Sequence, residues 1–364
     1  MITRRAPGKL FVAGEYAVLR PANPAVLVAL DRYVAVTIAE SPSDTTVLSS
    51  DLGGGSTMRC TRRSGRLVPV SGRDPGLFGF VLAAVGVVER LLAESGGQPS
   101  SFRLTARGEG MTEGGHKLGF GSSAAVTVAT VDALAAFYRL HLGRTDRYRL
   151  AMLASLAVGP NGSGGDIAAS TWGGWVAYRS PDRHRVREFV RGGSVTAALR
   201  APWPGFSVRT IPPPERVGLL VGWTGRPAST PALTARTGDR HHRIDACPGF
   251  LSDSSNAVEH LVNALADDDV YAVGHGIRRA RELLYALDAT TGLGIRTGHL
   301  DVLCTEAERA GAAAKPSGAG GGDCGIAVLD SERPAVAAEV TRRWLAAGIR
   351  PVPVGVHPGA EYER

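Results

Sequence analysis

Three stretches of this chain set a charged side chain beside a glycine-rich turn, the pairing that phosphate recognition needs. They are Ala6-Pro7-Gly8-Lys9, then Lys117-Leu118-Gly119-Phe120-Gly121-Ser122-Ser123-Ala124, then Lys315-Pro316-Ser317-Gly318-Ala319-Gly320-Gly321-Gly322-Asp323. The 41 basic residues include only three lysines, and each stands in one of these stretches. A chain that uses arginine as its generic cation keeps lysine where a compact ammonium does what a planar guanidinium cannot. The three ammonium groups are expected to converge on one anionic ligand.

The middle stretch carries the most chemistry. Its small residues let a phosphate approach the backbone, and the amides of a turn that opens a helix form an anion site. Ser122 or Ser123 is expected to cap that helix, and their hydroxyls can reach phosphate or Mg²⁺. Lys117, just upstream, can reach a phosphoryl group in transfer. Gly119, Gly121 and Ala124 also fit a dinucleotide fingerprint, but here they end a 14-residue loop, Gly108–Gly121, and do not follow a strand. Near position 140, where such a fingerprint needs an acid, the chain reads Arg139-Leu140-His141-Leu142. Leu10 and Leu118 follow the first two lysines, so the other common phosphate loop is absent as well.

A fourth segment, Asn161-Gly162-Ser163-Gly164-Gly165-Asp166, sets an acid after a tight glycine turn. Asp166 reads equally as a helix cap or as a functional acid that pairs with a lysine or takes a proton. In the third stretch the run of small residues from Ser317 to Gly322 is too permissive for core packing and is expected to lie against ligand. Cys324 beyond it reads as buried filler.

The elements that must hold these segments follow from periodicity. Strands are expected over Lys9–Leu19, Asp31–Glu40, Phe102–Arg107, Trp172–Tyr178, Val217–Trp223, Cys324–Leu329 and Pro351–Val356. Helices are expected over Leu77–Glu94, Ser122–Leu140, Asp146–Val158, residues 248–266, 268–287 and 297–313, and Ala335–Ala347. Residues 41–73 read as hairpins and loops. The Pro- and Arg-rich stretch Arg179–Pro214 reads as connection, with a domain boundary near residue 200. The fold class is α+β, with domains expected over 1–200 and 201–364.

Composition narrows the classes. The chain has 364 residues, 44% hydrophobic and 21% charged. That suits a globular chain with real cores and excludes collagen-like and disordered classes. The net charge is +7, but acids interleave with the arginines, so a nucleic-acid face is not expected. No apolar run approaches a membrane span and no apolar segment follows Arg4-Arg5, so a cytoplasmic location without a membrane partner is expected. Cys60, Cys247, Cys304 and Cys324 are far apart, which argues against a disulfide framework or a zinc site.

With the three stretches in order, the chain resembles the GHMP-superfamily kinases. Those enzymes carry a PGK-x₄-GE element, seen here as Pro7 to Glu15, a phosphate loop, here Gly119–Ala124, and a C-terminal glycine-rich loop, here Ser317–Asp323. Within the superfamily it is most similar to the bacterial-type phosphomevalonate kinases. That likeness rests on Tyr16 in Gly14-Glu15-Tyr16-Ala17-Val18-Leu19, Lys117, the Asn161–Asp166 segment, the Lys315–Gly325 segment and Val221-Gly222-Trp223-Thr224-Gly225.

The resemblance implies a two-domain GHMP kinase fold, with an N-terminal domain like ribosomal protein S5 domain 2, a ferredoxin-like C-terminal domain and an active site in the cleft between them. It implies transfer of the γ-phosphoryl of ATP to (R)-5-phosphomevalonate, with Mg²⁺. Lys117, Lys9 and Asp166 would be catalytic. Gly119, Gly121, Ser122, Ser123 and Ala124 would bind ATP. Lys9, Tyr16, Ser163, Ser317, Gly318 and Ala319 would meet the acceptor. Mevalonate kinases place a magnesium-binding Glu eleven residues before the motif Asp. Ser155 stands there in this chain, so Ser123 is the expected protein ligand and ATP phosphates and water the others. Sister activities on the same fold are mevalonate kinase, diphosphomevalonate decarboxylase and a non-catalytic ligand sensor. A monomer or homodimer is expected.

Overall fold

The structure, a computed structural model, describes all residues except 44, 53–54, 71–75, 77, 160, 192, 226–243, 246 and 360–364. Residue 77, the expected start of the first helix, lies outside the described residues. The chain packs as two compact units. Unit 1 holds Met1–Lys9, Asp31–Trp172 and Pro181–Pro204, and unit 2 holds Leu10–Leu30, Gly173–Ser180 and the described residues from Gly205 onward. The expected boundary near residue 200 falls close to the last crossing at Pro204, while two earlier segments of the chain already belong to unit 2.

In unit 1 a sheet runs in the order β2 (Pro24–Glu40), β6 (Phe102–Glu109), β3 (Thr46–Ser50), β4 (Ser56–Arg63), β5 (Arg66–Pro69). Residues 33–40 of β2 pair antiparallel with β6, and β3 pairs parallel with β6. The stretch expected as loops between 41 and 73 thus contains three strands. Their alternation is masked by the exposed polar residues of β4. The expected first strand is also shifted: β1 spans Ile2–Ala13 and stops at Gly14, and the chain then enters a short 3₁₀ turn at Ala17–Leu19.

Against this sheet lie α1 (Phe78–Glu94), α2 (Ser122–Phe137), α3 (Arg144–Val158) and α4 (Gly165–Trp172). The central helix, α2, contacts the other three. Its sequence is apolar on nearly every face, with eleven residues from Ala124 to Ala135 buried, as a helix enclosed by others requires. Arg62 on β4 grips Glu89 on α1 with two bonds of 2.6 Å, and the Tyr138 hydroxyl donates to the same carboxylate at 2.8 Å. This network fixes the far end of α2.

Asp132 sits on the inner half of α2. Burial pushes its carboxyl up to about 6 from the ordinary 3.8, against the opposing pull of Arg147 and Arg4. A carboxyl whose native pKa is raised contributes stability that is fully present below the unfolded value and is lost as pH rises through the native one. Asp132→Asn is therefore expected to raise stability at about pH 7.5 by about 1–2 kcal/mol, a two-unit shift discounted for partial exposure. It should also flatten the pH dependence between the two values. Urea denaturation of both proteins at pH values above and below this window measures it, and a variant less stable than the parent at about pH 7.5 would contradict it.

The Arg- and Pro-rich stretch after residue 179 is more ordered than expected. It holds α5 (Arg183–Arg191), α6 (Val195–Arg200) and β10 (Ser207–Ile211). The start of α6 is capped twice: the Ser194 hydroxyl accepts from Ala197 N, and the Glu94 carboxylate at the end of α1 accepts from Val195 N and Thr196 N at 2.7 Å each. The second cap comes from a hundred residues upstream, which no local pattern shows.

In unit 2, residues 24–28 of β2 pair with β9 (Trp175–Arg179), and β9 pairs with β10. A separate antiparallel sheet runs β12 (Ala313–Pro316), β13 (Cys324–Asp330), β11 (Val217–Trp223), β14 (Arg350–Val352). With α10 (Pro334–Ala346) between the last two strands in sequence, this is the strand order of a ferredoxin-like β-α-β-β-α-β unit. The single helix of the first crossover is replaced by three: α7 (Phe250–Ala266), α8 (Val270–Thr291) and α9 (Gly298–Arg309). Trp344 anchors the core, fully buried, with its indole N–H on Leu303 O at 2.9 Å. The residues Lys315-Pro316, expected as loop, form the end of β12.

Candidate active site

In unit 1 the phosphate-loop segment opens α2 as expected, but its cap is different. Gly121 is the N-cap, in the left-handed region at φ 76°, and neither serine caps the helix. Gly121 O accepts from Ala124 N and Ala125 N at 3.0 and 3.1 Å, so Ser122 and Ser123 are the first helical residues, where amides have no acceptor in the helix's own ladder. Both serines are partly exposed. The Ser123 carbonyl accepts from the Thr127 hydroxyl at 2.7 Å. A side chain at Gly121 would be strained by its φ, and a Cβ there would stand 2.8 Å from Lys9 Cε.

That clash locates Lys9. Its aliphatic stem lies against Gly121, its N–H donates to Phe120 O at 2.9 Å, and the residue is only 8% exposed. The Lys9 strand is tied to α4 as well, because the Ser170 hydroxyl donates to Pro7 O at 2.7 Å. Asp166 is in the first turn of α4, partly buried, with Oδ1 accepting from Ile167 N at 3.1 Å. Ser163 precedes it, and its Oγ accepts from Gly165 N at 3.2 Å. Hydrogen bonds thus join Lys9 to the Gly119–Ala124 turn, and join its strand to the helix that begins with Asp166.

Lys117 comes from a small hairpin in the loop after β6. There β7 (Thr112–Glu113) pairs with β8 (His116–Lys117), and Leu118 N donates to Met111 O at 3.2 Å. The Lys117 side chain is exposed, two residues before Gly119.

In unit 2 a second cluster forms around Glu15. Lys315 Nζ is bonded to Glu15 Oε1 at 2.5 Å and to Pro316 O at 2.6 Å, and the two side chains are 0% and 3% exposed. The expectation that all three lysines serve a bound anion is corrected here. Lys315 is enclosed because β12 places it inside the sheet's helix-covered face, and its ammonium holds a structural carboxylate. Gly318 N also donates to Glu15 Oε1, at 3.3 Å. The Tyr16 hydroxyl donates to Ala319 O at 2.5 Å, and Ser317 Oγ donates to Phe11 O at 2.9 Å. Tyr16, Ser317, Gly318 and Ala319 therefore belong to one hydrogen-bonded structure. Gly320 closes the loop: it has φ 69°, and a Cβ there would fall 2.5 Å from Ile295 O. Glu15 was part of a quoted motif, but only its partner 300 residues away reveals what it does.

Among the described residues no three His, Cys, Asp or Glu side chains gather as a metal site, and no helix is long and apolar enough to cross a membrane. The described cysteines are all free, and burial pushes the Cys60 thiol up to about 11, as inert packing residues behave.

Comparison with known proteins agrees with both units. Residues 82–174 match the GHMP kinases N terminal domain and residues 261–348 the GHMP kinases C terminal domain. A phosphomevalonate kinase of Streptomyces sp. (strain CL190) is 48% identical over 97% of this chain and 96% of that protein. Phosphomevalonate kinase of Streptococcus pneumoniae, solved in complex with phosphomevalonate and AMPPNP, is 30% identical, with a TM-score of 0.83 over 98% of this chain and all of that one. Mevalonate kinase of Methanothermobacter thermautotrophicus is less similar, 27% identical over 94% of each chain. The chain belongs to the GHMP kinase family. Within that family its place is with the phosphomevalonate kinases, at nearly full length.

Proposed function

We propose that this chain transfers the γ-phosphoryl of ATP to (R)-5-phosphomevalonate, giving (R)-5-diphosphomevalonate and ADP. The observation that carries the reading is the joining of Lys9 to a helix-opening glycine turn, in a chain 48% identical to a phosphomevalonate kinase.

The acceptor is a phosphate monoester with a second pKa near 6. Near neutral pH it is already an oxyanion, so a strong general base is not the first requirement. The barrier is repulsion between two polyanions, and positioned cations and amides offset it while holding the oxygens in line. The amides and hydroxyls of Ser122 and Ser123, with Gly119, Gly121 and Ala124 supplying the close approach, hold the donor phosphates. Lys117 bridges donor and transferring phosphoryl. Its exposure on a short hairpin suits a group that closes over nucleotide once bound. Lys9 binds the acceptor phosphate, and Asp166 orients its ammonium. Tyr16, Ser163, Ser317, Gly318 and Ala319 shape the acceptor's surroundings, chiefly through backbone, since the Tyr16 and Ser317 hydroxyls hold the loop together.

A single exposed hydroxyl at the helix start suits Mg²⁺, which keeps most of its water and arrives on phosphates. Ser123 is the residue that would hold it, and the ion would neutralise charge on the donor. The protein acts as a cytoplasmic monomer or homodimer, with no nucleic-acid or membrane partner. ADP release measured with mevalonate, phosphomevalonate and diphosphomevalonate in turn tests the reading. Turnover with phosphomevalonate alone is expected, and turnover with mevalonate or CO₂ release from diphosphomevalonate would overturn it.

A further inference from the structure

At the opposite end of α2 from the phosphate turn, about 15 Å along the helix from Ser122 to Asp132, lies a cavity of about 460 Å³. Four cationic or titratable side chains line it, Arg4, Arg139, His141 and Arg147, with a single acid, Asp132. A volume of this size admits a small organic ion, and the excess of guanidinium groups sets the sign of the ion it takes.

Two features go beyond a solvated basic surface. Asp132 Oδ1 is buried with no hydrogen-bond partner, while Oδ2 stands 3.7 Å from Arg147 Nη1. A buried carboxylate oxygen left without a donor is unfavourable, and it points to a donor that arrives with a ligand. The Arg147 guanidinium is held in place by its Nε, which donates to Leu142 O at 3.2 Å.

The second feature is Arg139. It ends α2 in the left-handed region at φ 55°, with Leu140 N returning to Ala135 O at 2.8 Å. That turn belongs to glycine, which adopts it without strain. This chain has 47 glycines and uses an arginine there instead. Strain of this kind gathers at ligand sites, because the side chain placed there matters more than the turn.

We propose that this cavity binds a small phosphate ester that carries a free hydroxyl. The phosphate is held by the Arg139 and Arg4 guanidinium groups, and the hydroxyl donates to Asp132 Oδ1. Guanidinium groups match phosphate oxygens in pairs, and an alcohol supplies the single donor that Asp132 lacks. The site is separate from the helix-opening turn and needs no step of the transfer reaction.

The test is isothermal titration of the full chain with glycerol 3-phosphate and with methyl phosphate, which lacks the hydroxyl. The parent protein is expected to bind glycerol 3-phosphate more tightly than methyl phosphate. Arg139→Ser should weaken glycerol 3-phosphate at least tenfold while leaving ATP turnover unchanged. Asp132→Asn should reduce the preference for glycerol 3-phosphate over methyl phosphate by at least threefold. Equal affinity of the parent and Arg139→Ser for glycerol 3-phosphate would overturn the site, as would no binding to the parent. Equal affinity of the parent for the two esters would overturn the role of Asp132. Thermal melting of each variant establishes that it is folded, and Arg139→Ser alone decides if Asp132→Asn is not.

Discussion

Lys9→Met is expected to lower kcat by about 10²–10³-fold while leaving the fold intact, the scale on which loss of one positioned charge slows a transfer between anions. Methionine keeps the length and apolar character of the stem that lies against Gly121, and the backbone bond from residue 9 to Phe120 O survives. What is removed is the ammonium, in a residue 8% exposed, where water screens it little. Because a buried lysine is replaced by an apolar side chain of similar shape, the melting temperature should hold or rise. Steady-state kinetics with both substrates, beside a thermal melt, separates the two effects. A kcat within threefold of the parent in a folded protein would remove Lys9 from the reaction. A rise in KM for the acceptor alone would assign it to binding.

Lys315→Met is expected to act on the other side of the ledger, lowering folding stability by about 3–5 kcal/mol. Its ammonium is fully buried against Glu15, and the carboxylate left behind has one oxygen, Oε2, that already lacks a partner among the described residues. An uncompensated buried charge is the dominant penalty, so the paired variant Glu15→Gln, Lys315→Met should recover part of the loss even though it removes more polar groups. Urea denaturation of the three variants and the parent measures this. A single variant within about 1 kcal/mol of the parent would show that the pair does not hold the loop from Ser317 to Ala319 in place.

The contrast between these two lysines shows what the sequence made legible. Both stand beside glycine and proline, and nothing local separates them. Lys9 keeps its expected neighbourhood because its partner, the turn at Gly121, is itself a glycine-rich signal. Lys315 is inside the fold because Ala313-Ala314-Lys315-Pro316 forms a four-residue strand, too short to show alternation, and its counter-charge is 300 residues away. The same limit explains α6, whose second cap comes from Glu94, and the cap of α2, where backbone conformation at Gly121 displaced the two serines that composition favoured. The long helices and β11, whose periodicity is uninterrupted, appear where the pattern put them. Elements set by distant partners do not.

The central claim is the identity of the acceptor, and ³¹P NMR of the reaction mixture tests it most directly. With ATP, Mg²⁺ and phosphomevalonate, the monoester resonance should disappear as the coupled pair of a new diphosphate grows in step with ADP. ADP formed without that pair, or a new monoester formed from mevalonate, would contradict the account.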